Sequence, residues 1–142
     1  MVYLDAVLTE TLRRHPPVAL GIRTLLQDMK MLNYDVPAGA SVMVSQHVLH
    51  HHPQYWNNPD TFNPDRFLGN KKPVPFSFAP FILGPRTCLG KNFALLEMKV
   101  FISIWLSRLT FEKLPDCKEE IITQQGALVK VLENRVIVRT RN

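Results

Sequence analysis

Apolar side chains recur at helical spacing in two segments of the chain. They include Tyr3, Leu4, Val7, Leu8 and Leu12 in the first segment, and Phe93, Leu96, Val100 and Ile104 in the second. This spacing places apolar side chains on one face of a helix, so it predicts helices over residues 1–15 and 91–109. The first helix is expected to end at His15, because the prolines at 16 and 17 cannot continue it.

Other segments have the pattern of β-strands. Residues 121–126, 127–132 and 135–139 alternate between apolar and polar positions, and Glu133-Asn134 is predicted to form a hairpin turn. Residues 18–26 also favour an extended strand. The stretch from Phe111 to Pro115 ends the second helix. The sequence therefore predicts a mainly α fold with small β-sheets.

Composition places limits on this fold. The chain has 142 residues, of which 46% are hydrophobic, enough for a core of ordinary domain size. Its longest apolar run, around Val100–Leu106, is too short to span a bilayer and is interrupted by Ser103. The start of the chain contains acidic residues and does not have the basic-then-apolar pattern of a signal peptide.

The candidate chemistry lies in Phe81-Ile-Leu-Gly84-Pro-Arg86-Thr-Cys88-Leu-Gly90, called the cysteine loop below. Its glycines allow sharp turns and the close approach of a large flat ligand. Cys88 is predicted to lie at the N-terminus of the second helix, where free N–H groups favour a thiolate. A thiolate is a good metal ligand, including for haem iron. The alternative is that Cys88 is a small, inert core residue.

The loop resembles the haem-binding signature of the cytochrome P450 family, Phe-x-x-Gly-x-Arg-x-Cys-x-Gly. Two more segments resemble motifs of that family, in the same order along the chain. Glu10-Thr-Leu-Arg13 matches the Glu-x-x-Arg of its K helix, and the segment Phe62–Phe67, which contains Arg66, resembles its Pro-x-Arg-Phe. The resemblance implies that Glu10, Arg13 and Arg66 form one buried structural network.

The resemblance divides the chain into the parts of the C-terminal portion of a single cytochrome P450 domain. These are the K helix (1–15), a β region (16–53), the meander (54–80), the haem loop (81–90), the L helix (91–109) and C-terminal β-hairpins (110–142). The family's substrate-lid helices and oxygen-activation helix have no counterpart here. We therefore expect the chain to be an incomplete cytochrome P450 fold, a fragment or truncated product.

The resemblance also implies a cofactor, haem b, with Cys88 as the iron ligand. Phe81 and Gly84 occupy fixed positions of the motif. Arg86 is expected to bind a haem propionate. Arg23, which lies ahead of the turn Val36-Pro-Ala-Gly39, is either a second propionate ligand or a solvated strand arginine.

The implied function is monooxygenation, the hydroxylation of a lipophilic substrate with O2 and with electrons from NADPH supplied by a reductase. Residues 18–22 and 124–128 correspond to segments that line the family's substrate pocket. No residue of the chain is a candidate to deliver protons to oxygen, so the isolated segment is expected to be inactive. The alternatives are a truncated, inactive product and an isomerase or lyase that needs no redox partner.

Charge suggests a partner. The net charge is +5, and Lys71, Lys72, Arg86, Lys91 and Lys99 cluster in sequence around the cysteine loop. In the cytochrome P450 family, which the chain resembles, the surface around the cysteine loop binds an acidic electron donor. A patch of positive charge would steer such a donor to this surface. A solvated surface and nucleic-acid binding are the alternatives, but the sequence has no nucleic-acid motif. The resemblance places the full-length parent on the cytosolic face of the endoplasmic reticulum membrane, held by an N-terminal part.

Four of the five histidines lie between Gln46 and Pro53. Their spacing could suit zinc, but neither Cys88 nor Cys117 lies at a finger-type spacing from them. Structural or surface histidines are the favoured interpretation, and His50 to Pro53 matches a His-x-x-Pro that the family often has. Cys117 is expected to be a free surface thiol, and the two cysteines give no evidence for a disulfide.

Overall fold

The computed structural model describes residues 1–69, 71–115, 122–125, 128–131 and 135–141. Its helices are α1 (Val2–Arg14), α2 (Gln46–His51) and α3 (Lys91–Arg108), with one 3-10 helix at Pro64–Phe67. Its strands are β1 (Leu20–Thr24), β2 (Met29–Met31), β3 (Tyr34–Val36), β4 (Ser41–Ser45), β5 (Leu109–Lys113), β6 (Ile122–Gln125), β7 (Leu128–Val131) and β8 (Val136–Thr140). Helices and small sheets therefore occur together, as the sequence predicted.

Helix α1 ends where the sequence predicted. The backbone N–H of His15 donates to the carbonyl of Thr11, and the two prolines follow. The helix buries the apolar residues Ala6, Leu8 and Leu12. Two charged residues, Glu10 and Arg13, are buried on the same helix.

The first sheet pairs β1 with β4 in antiparallel register, from Leu20 opposite Ser45 to Thr24 opposite Ser41. The hairpin of β2 and β3 lies between them in the chain. The predicted turn before β4 is present, since Ala40 N–H donates to the carbonyl of Pro37 and Gly39 has a φ of 83°. The sheet leads directly into α2, whose first turn is capped by the Ser45 hydroxyl at 3.2 Å from Val48 N.

The C-terminal strands pair differently from the expectation. Strand β5 pairs with β8, and β6 pairs with β7, both antiparallel. The pattern of residues 111–115 predicts the end of a helix but not strand β5, because that strand is specified by its distant partner β8. Among the described residues, β5–β8 and β6–β7 form two separate two-stranded sheets, so β8 does not extend the β6–β7 hairpin. The proposed turn at Glu133-Asn134 and the expected thiol Cys117 lie outside the described residues.

The described core is built around a buried ion pair. Glu10 and Arg13 have no exposed surface, and two parallel hydrogen bonds join them at 2.7 and 2.9 Å. Two further Arg13 donors bind the carbonyl oxygens of His50 and Pro59, at 2.7 and 2.8 Å. Asn63 N–H donates to Glu10 at 2.8 Å. The pair therefore fixes α1 against α2 and against the segment after it.

Arg66 completes this network as the resemblance implied. Its Nε lies 3.4 Å from Glu10 Oε1, an ion pair without hydrogen-bond geometry. Its Nη atoms donate to backbone carbonyls of Asn57, Asn58 and Thr61. Arg66 thus holds the meander segment to the carboxylate on α1. On the other side of the pair, the Trp56 ring lies 5.2 Å from the Arg13 guanidinium carbon.

Helix α3 contrasts with this core, because none of its residues is buried within the described part of the chain. The residues of the predicted apolar stripe are all exposed: Phe93, Leu96, Val100 and Ile104. An ion pair between Lys99 and Asp5 connects α3 to α1. Among the described residues, no helix has both the length and the hydropathy needed to cross a membrane.

The buried pair yields a first prediction. Replacing Glu10 by Gln should lower the free energy of unfolding by about 3 kcal/mol or more, because it leaves the Arg13 charge buried without a counter-charge. Asp5→Asn is the control, since it removes the partly exposed pair with Lys99 and should cost less than about 1 kcal/mol. Urea unfolding of the three proteins measures both values. Equal losses in the two variants would contradict the assignment of the Glu10 pair as the main constraint.

Candidate functional site

The cysteine loop is closed by backbone hydrogen bonds. Cys88 N–H donates to the carbonyl of Phe81 at 2.9 Å, and Thr87 N–H donates to the carbonyl of Gly84 at 3.0 Å. The Thr87 hydroxyl adds a bond of 3.3 Å to the carbonyl of Ile82. These bonds bring the start and end of the motif together and hold Cys88 in one position relative to Phe81.

Two loop residues have left-handed backbone conformations. Gly84 has a φ of 82°, and no atom lies within 4 Å of the position that a Cβ would take there. The space beside Gly84 is therefore open, and its glycine is required by the backbone conformation. Ile82 has a φ of 62°, a strained conformation for a β-branched residue.

The loop presents Cys88 as an exposed, free thiol just before α3. The Cys88 carbonyl accepts from Lys91 N–H at 3.3 Å, and Gly90 is the N-cap of α3. A Cβ on Gly90 would lie 3.9 Å from Cys88 Sγ. The thiol therefore projects from a structured turn, and the alternative of an inert core cysteine does not hold.

Behind the loop, a cavity of about 250 Å³ separates α1 from the start of α3. Leu12, Phe81, Ile82, Leu83 and Leu95 are among its lining residues. Its walls are mostly apolar, so the side of the loop that meets α1 is a hydrophobic environment.

The two candidate anion-binding arginines are in different settings. Arg86 is exposed in the cysteine loop and has no hydrogen bond or ion pair with any residue that the structure describes. Arg23 is exposed on β1, opposite Val42, and its Nη1 donates to the neighbouring carbonyl of Ile22 at 2.8 Å. The structure thus groups Arg86 with Cys88, Phe81 and Gly84, and it places Arg23 on the first sheet.

The basic residues around the loop differ in their surroundings. Lys71 and Lys72 line a pocket of about 300 Å³ together with Tyr55, Trp56 and Arg66. Lys99 is paired with Asp5 of α1, so its charge is partly compensated. Lys91 is exposed at the first position of α3.

The histidines also differ from one another. In the described ranges, no group of three His, Cys, Asp or Glu side chains is placed to hold a metal ion. His47 is exposed, whereas His50 is fully buried and hydrogen-bonded at both ring nitrogens. The spacing of the histidines alone does not predict that His50 is buried and His47 exposed. The His-x-x-Pro pattern, which begins at His50 and at no other histidine of the sequence, is the signal that separates His50 from His47.

Comparison with known proteins supports the motif. The cytochrome P450 family model matches residues 1–138. A probable cytochrome P450 4s3 of Drosophila melanogaster is 37% identical over 147 residues, covering 100% of this chain and 29% of the relative. Thromboxane-A synthase of Rattus norvegicus is 36% identical over 140 residues, covering 92% of this chain and 26% of that protein.

A solved structure agrees with this sequence relationship. The crystal structure of a cytochrome P450DA heme domain superposes with a TM-score of 0.87 at 29% identity, over 98% of this chain and 31% of that one. The sequence motifs, the fold and the sequence relatives all indicate the same class of protein. The chain belongs to the cytochrome P450 family. It spans less than a third of the length of these relatives.

The strain at Ile82 yields a second prediction. Glycine at this position should relieve a left-handed conformation that costs roughly 1–2 kcal/mol for a residue with a side chain. Leu83→Gly is the matched control, because Leu83 is the exposed neighbour without a positive φ. We expect Ile82→Gly to exceed Leu83→Gly in unfolding free energy by about 1 kcal/mol, measured by denaturant titration. A greater loss at 82 than at 83 would show that the loop is not strained there.

Proposed function

We propose that the gene product carrying this chain is a haem-thiolate monooxygenase that hydroxylates a lipophilic substrate. The observation that carries the proposal is the exposed Cys88 thiol, held in a closed loop that matches the family signature. The oxidant in the proposed reaction is O2, and the electrons come from NADPH through a reductase. The cysteine-ligated haem supplies the activation of O2 when it is bound.

The residues present fit such a cofactor. Haem needs a soft ligand for iron, an apolar surface for the macrocycle and cations for two propionates. Cys88 is exposed, the space beside Gly84 is open, and the apolar face of α3 that begins with Phe93 is uncovered. Arg86 has a guanidinium without a partner in the described part of the chain. The four features lie on the loop and the helix that follows it.

Each residue has a distinct task in this proposal. Cys88 would bind the iron as a thiolate, and the hydrogen bond from its N–H to the Phe81 carbonyl holds the residue in place in the loop. Arg86 binds one propionate, and Arg23 is the candidate for the other. Gly84 leaves room for the macrocycle, since any side chain there would occupy the open space. Phe81, half-buried behind the loop, keeps water from that side.

The electron donor in this proposal is an acidic protein of the NADPH-dependent reductase type. Lys71, Lys72, Arg86 and Lys91 supply the positive charge that would steer it, and Lys99 contributes less because Asp5 compensates it. The proposal places the full gene product on the cytosolic face of the endoplasmic reticulum membrane, as in the family resemblance.

Two alternatives remain from the same site. The likeness to thromboxane-A synthases, at 36–40% identity, favours a family isomerase or lyase that uses no redox partner. The second alternative is an inactive product derived from the family. The alternatives differ from the main proposal in their need for NADPH, so turnover of the gene product with and without NADPH and reductase separates them.

The haem-thiolate assignment is tested by spectroscopy. The full gene product, reduced and treated with carbon monoxide, should show the absorption band typical of a thiolate-ligated haem. Cys88→Ser should abolish this band, because the hydroxyl is a poor ligand for the iron. Cys117→Ser, which changes the chain's other cysteine, is the control and should retain it. A band that survives in Cys88→Ser would overturn the assignment.

A further inference from the structure

His50 joins three parts of the fold through hydrogen bonds. Its side chain is completely buried on α2. Ring atom Nδ1 lies 3.2 Å from the backbone carbonyl oxygen of Arg13 on α1. Ring atom Nε2 accepts from the backbone N–H of Ala79 at 2.9 Å. Ala79 belongs to the segment that leads into the cysteine loop, so one imidazole connects that segment to both helices.

These partners specify one protonation state. A backbone N–H can only donate, so Nε2 must carry a lone pair towards Ala79. A backbone carbonyl can only accept, so Nδ1 must carry the hydrogen towards Arg13. Only the neutral ring with its hydrogen on Nδ1 meets both demands. A second proton on Nε2 would face the Ala79 N–H and break that bond.

The environment of His50 disfavours protonation of Nε2. Arg13 faces His50 from α1, and His47 and His51 face it from its own helix. Glu10 is already bound to Arg13, and the packed segment 77–79 offers the Phe78 ring at 5.2 Å and no charged side chain. Burial, with smaller contributions from the neighbouring positive charges, lowers the pKa of His50 from 6.5 to about 4, although the bond to the Arg13 backbone acts in the opposite direction.

The imidazole reaches the cysteine through backbone bonds. The carbonyl of Ala79 accepts from Ile82 N–H at 3.0 Å. The next bond runs from Cys88 N–H to the carbonyl of Phe81, at 2.9 Å. Ala79, Phe81, Ile82 and Cys88 therefore form one bonded path that begins at His50. If the Ala79 anchor is lost, this path loses its hydrogen bond to His50 and, through His50, to the Arg13 carbonyl on α1.

We propose that neutral His50 is a positioning residue for Cys88: it anchors Ala79 and the cysteine loop to the helices, and its protonation releases the loop. The proposal rests on the role of Cys88 as haem ligand given above. Because the folded pKa lies below the unfolded one, the anchor is complete above pH 6.5 and is lost as the pH falls towards 4. The loop is thus an acid-sensitive part of the site.

The third prediction concerns hydrogen exchange in the full gene product without added haem. Between pH 7 and pH 5 the protection of the segment 77–88 should fall by roughly tenfold or more. The reason is that His50 regains its ordinary pKa when the segment opens, so protonation at pH 5 favours the open state. In His50→Gln the side-chain carbonyl can accept from Ala79 N–H and does not titrate, so protection should persist across this range. His50→Phe should lose protection at both pH values. His47→Gln, on the exposed part of α2, is the control and should follow the parent.

The same samples exclude a merely structural role. Such a role would lower the protection of α1 and α3 together with that of the segment 77–88. We expect the change with pH to be confined to 77–88. Long-range proton–nitrogen spectra of the parent should also show the hydrogen of His50 on Nδ1. A hydrogen on Nε2, or an unaltered pH dependence in His50→Gln, would overturn the proposal.

The fourth prediction concerns the loaded protein. The thiolate-type carbon monoxide band should be lost at a higher pH in the parent than in His50→Gln, because the parent loop is released by acid. If Cys88→Ser retains the band, the proposed haem-thiolate function is wrong. The hydrogen exchange of the segment 77–88 would still decide whether His50 anchors the loop. A different outcome is that the band depends on Cys88 but is lost at the same pH in the parent and in His50→Gln. That outcome would overturn the positioning role of His50 and leave the proposed function intact.

Discussion

The fold depends on the desolvation of one ion pair. Moving Glu10 and Arg13 out of water costs several kcal/mol for each charge, and the pair is tolerable only if nearly every donor and acceptor is satisfied. Arg13 meets this demand with both oxygens of Glu10 and with carbonyls from His50 and Pro59. The positions of α1, α2 and the meander follow from this requirement, since each supplies a group that the buried charges need.

Local signals in the sequence predicted helices α1 and α3 and the pairing of Glu10 with Arg13, because each of those signals lies within a few neighbouring residues. The prolines after His15, the periodicity of α3 and the i, i+3 spacing of Glu10 and Arg13 each lie within a few residues. Strand β5 was missed because its pairing partner is β8, more than twenty residues away. The role of His50 was missed for the same reason: its partners, Arg13 and Ala79, are distant in sequence.

In the candidate site, too, the sequence predicted the features that depend on neighbouring residues and not those that depend on distant contacts. The motif identified Cys88, and the structure shows its thiol exposed in a closed loop. The sequence could not show that Lys99 is engaged by Asp5, or that the apolar stripe of α3 faces outward in the described part of the chain. A hydrophobic period identifies a face, but only the tertiary arrangement determines what that face contacts. The exposed stripe thus begins close to the cysteine loop at Phe93 and runs along α3 outside the described core.

The long sequence separations within the buried network have a consequence for synthesis on the ribosome. The bonds from Arg13 to His50 and Pro59, and from Asn63 to Glu10, span 37, 46 and 53 residues. The first helix emerges from the ribosome well before these partners, and its two charges remain hydrated until the meander has been synthesised. Burial of α1 is therefore a late event in translation, and the cysteine loop, which follows only some twenty residues after Arg66, emerges soon after that burial becomes possible.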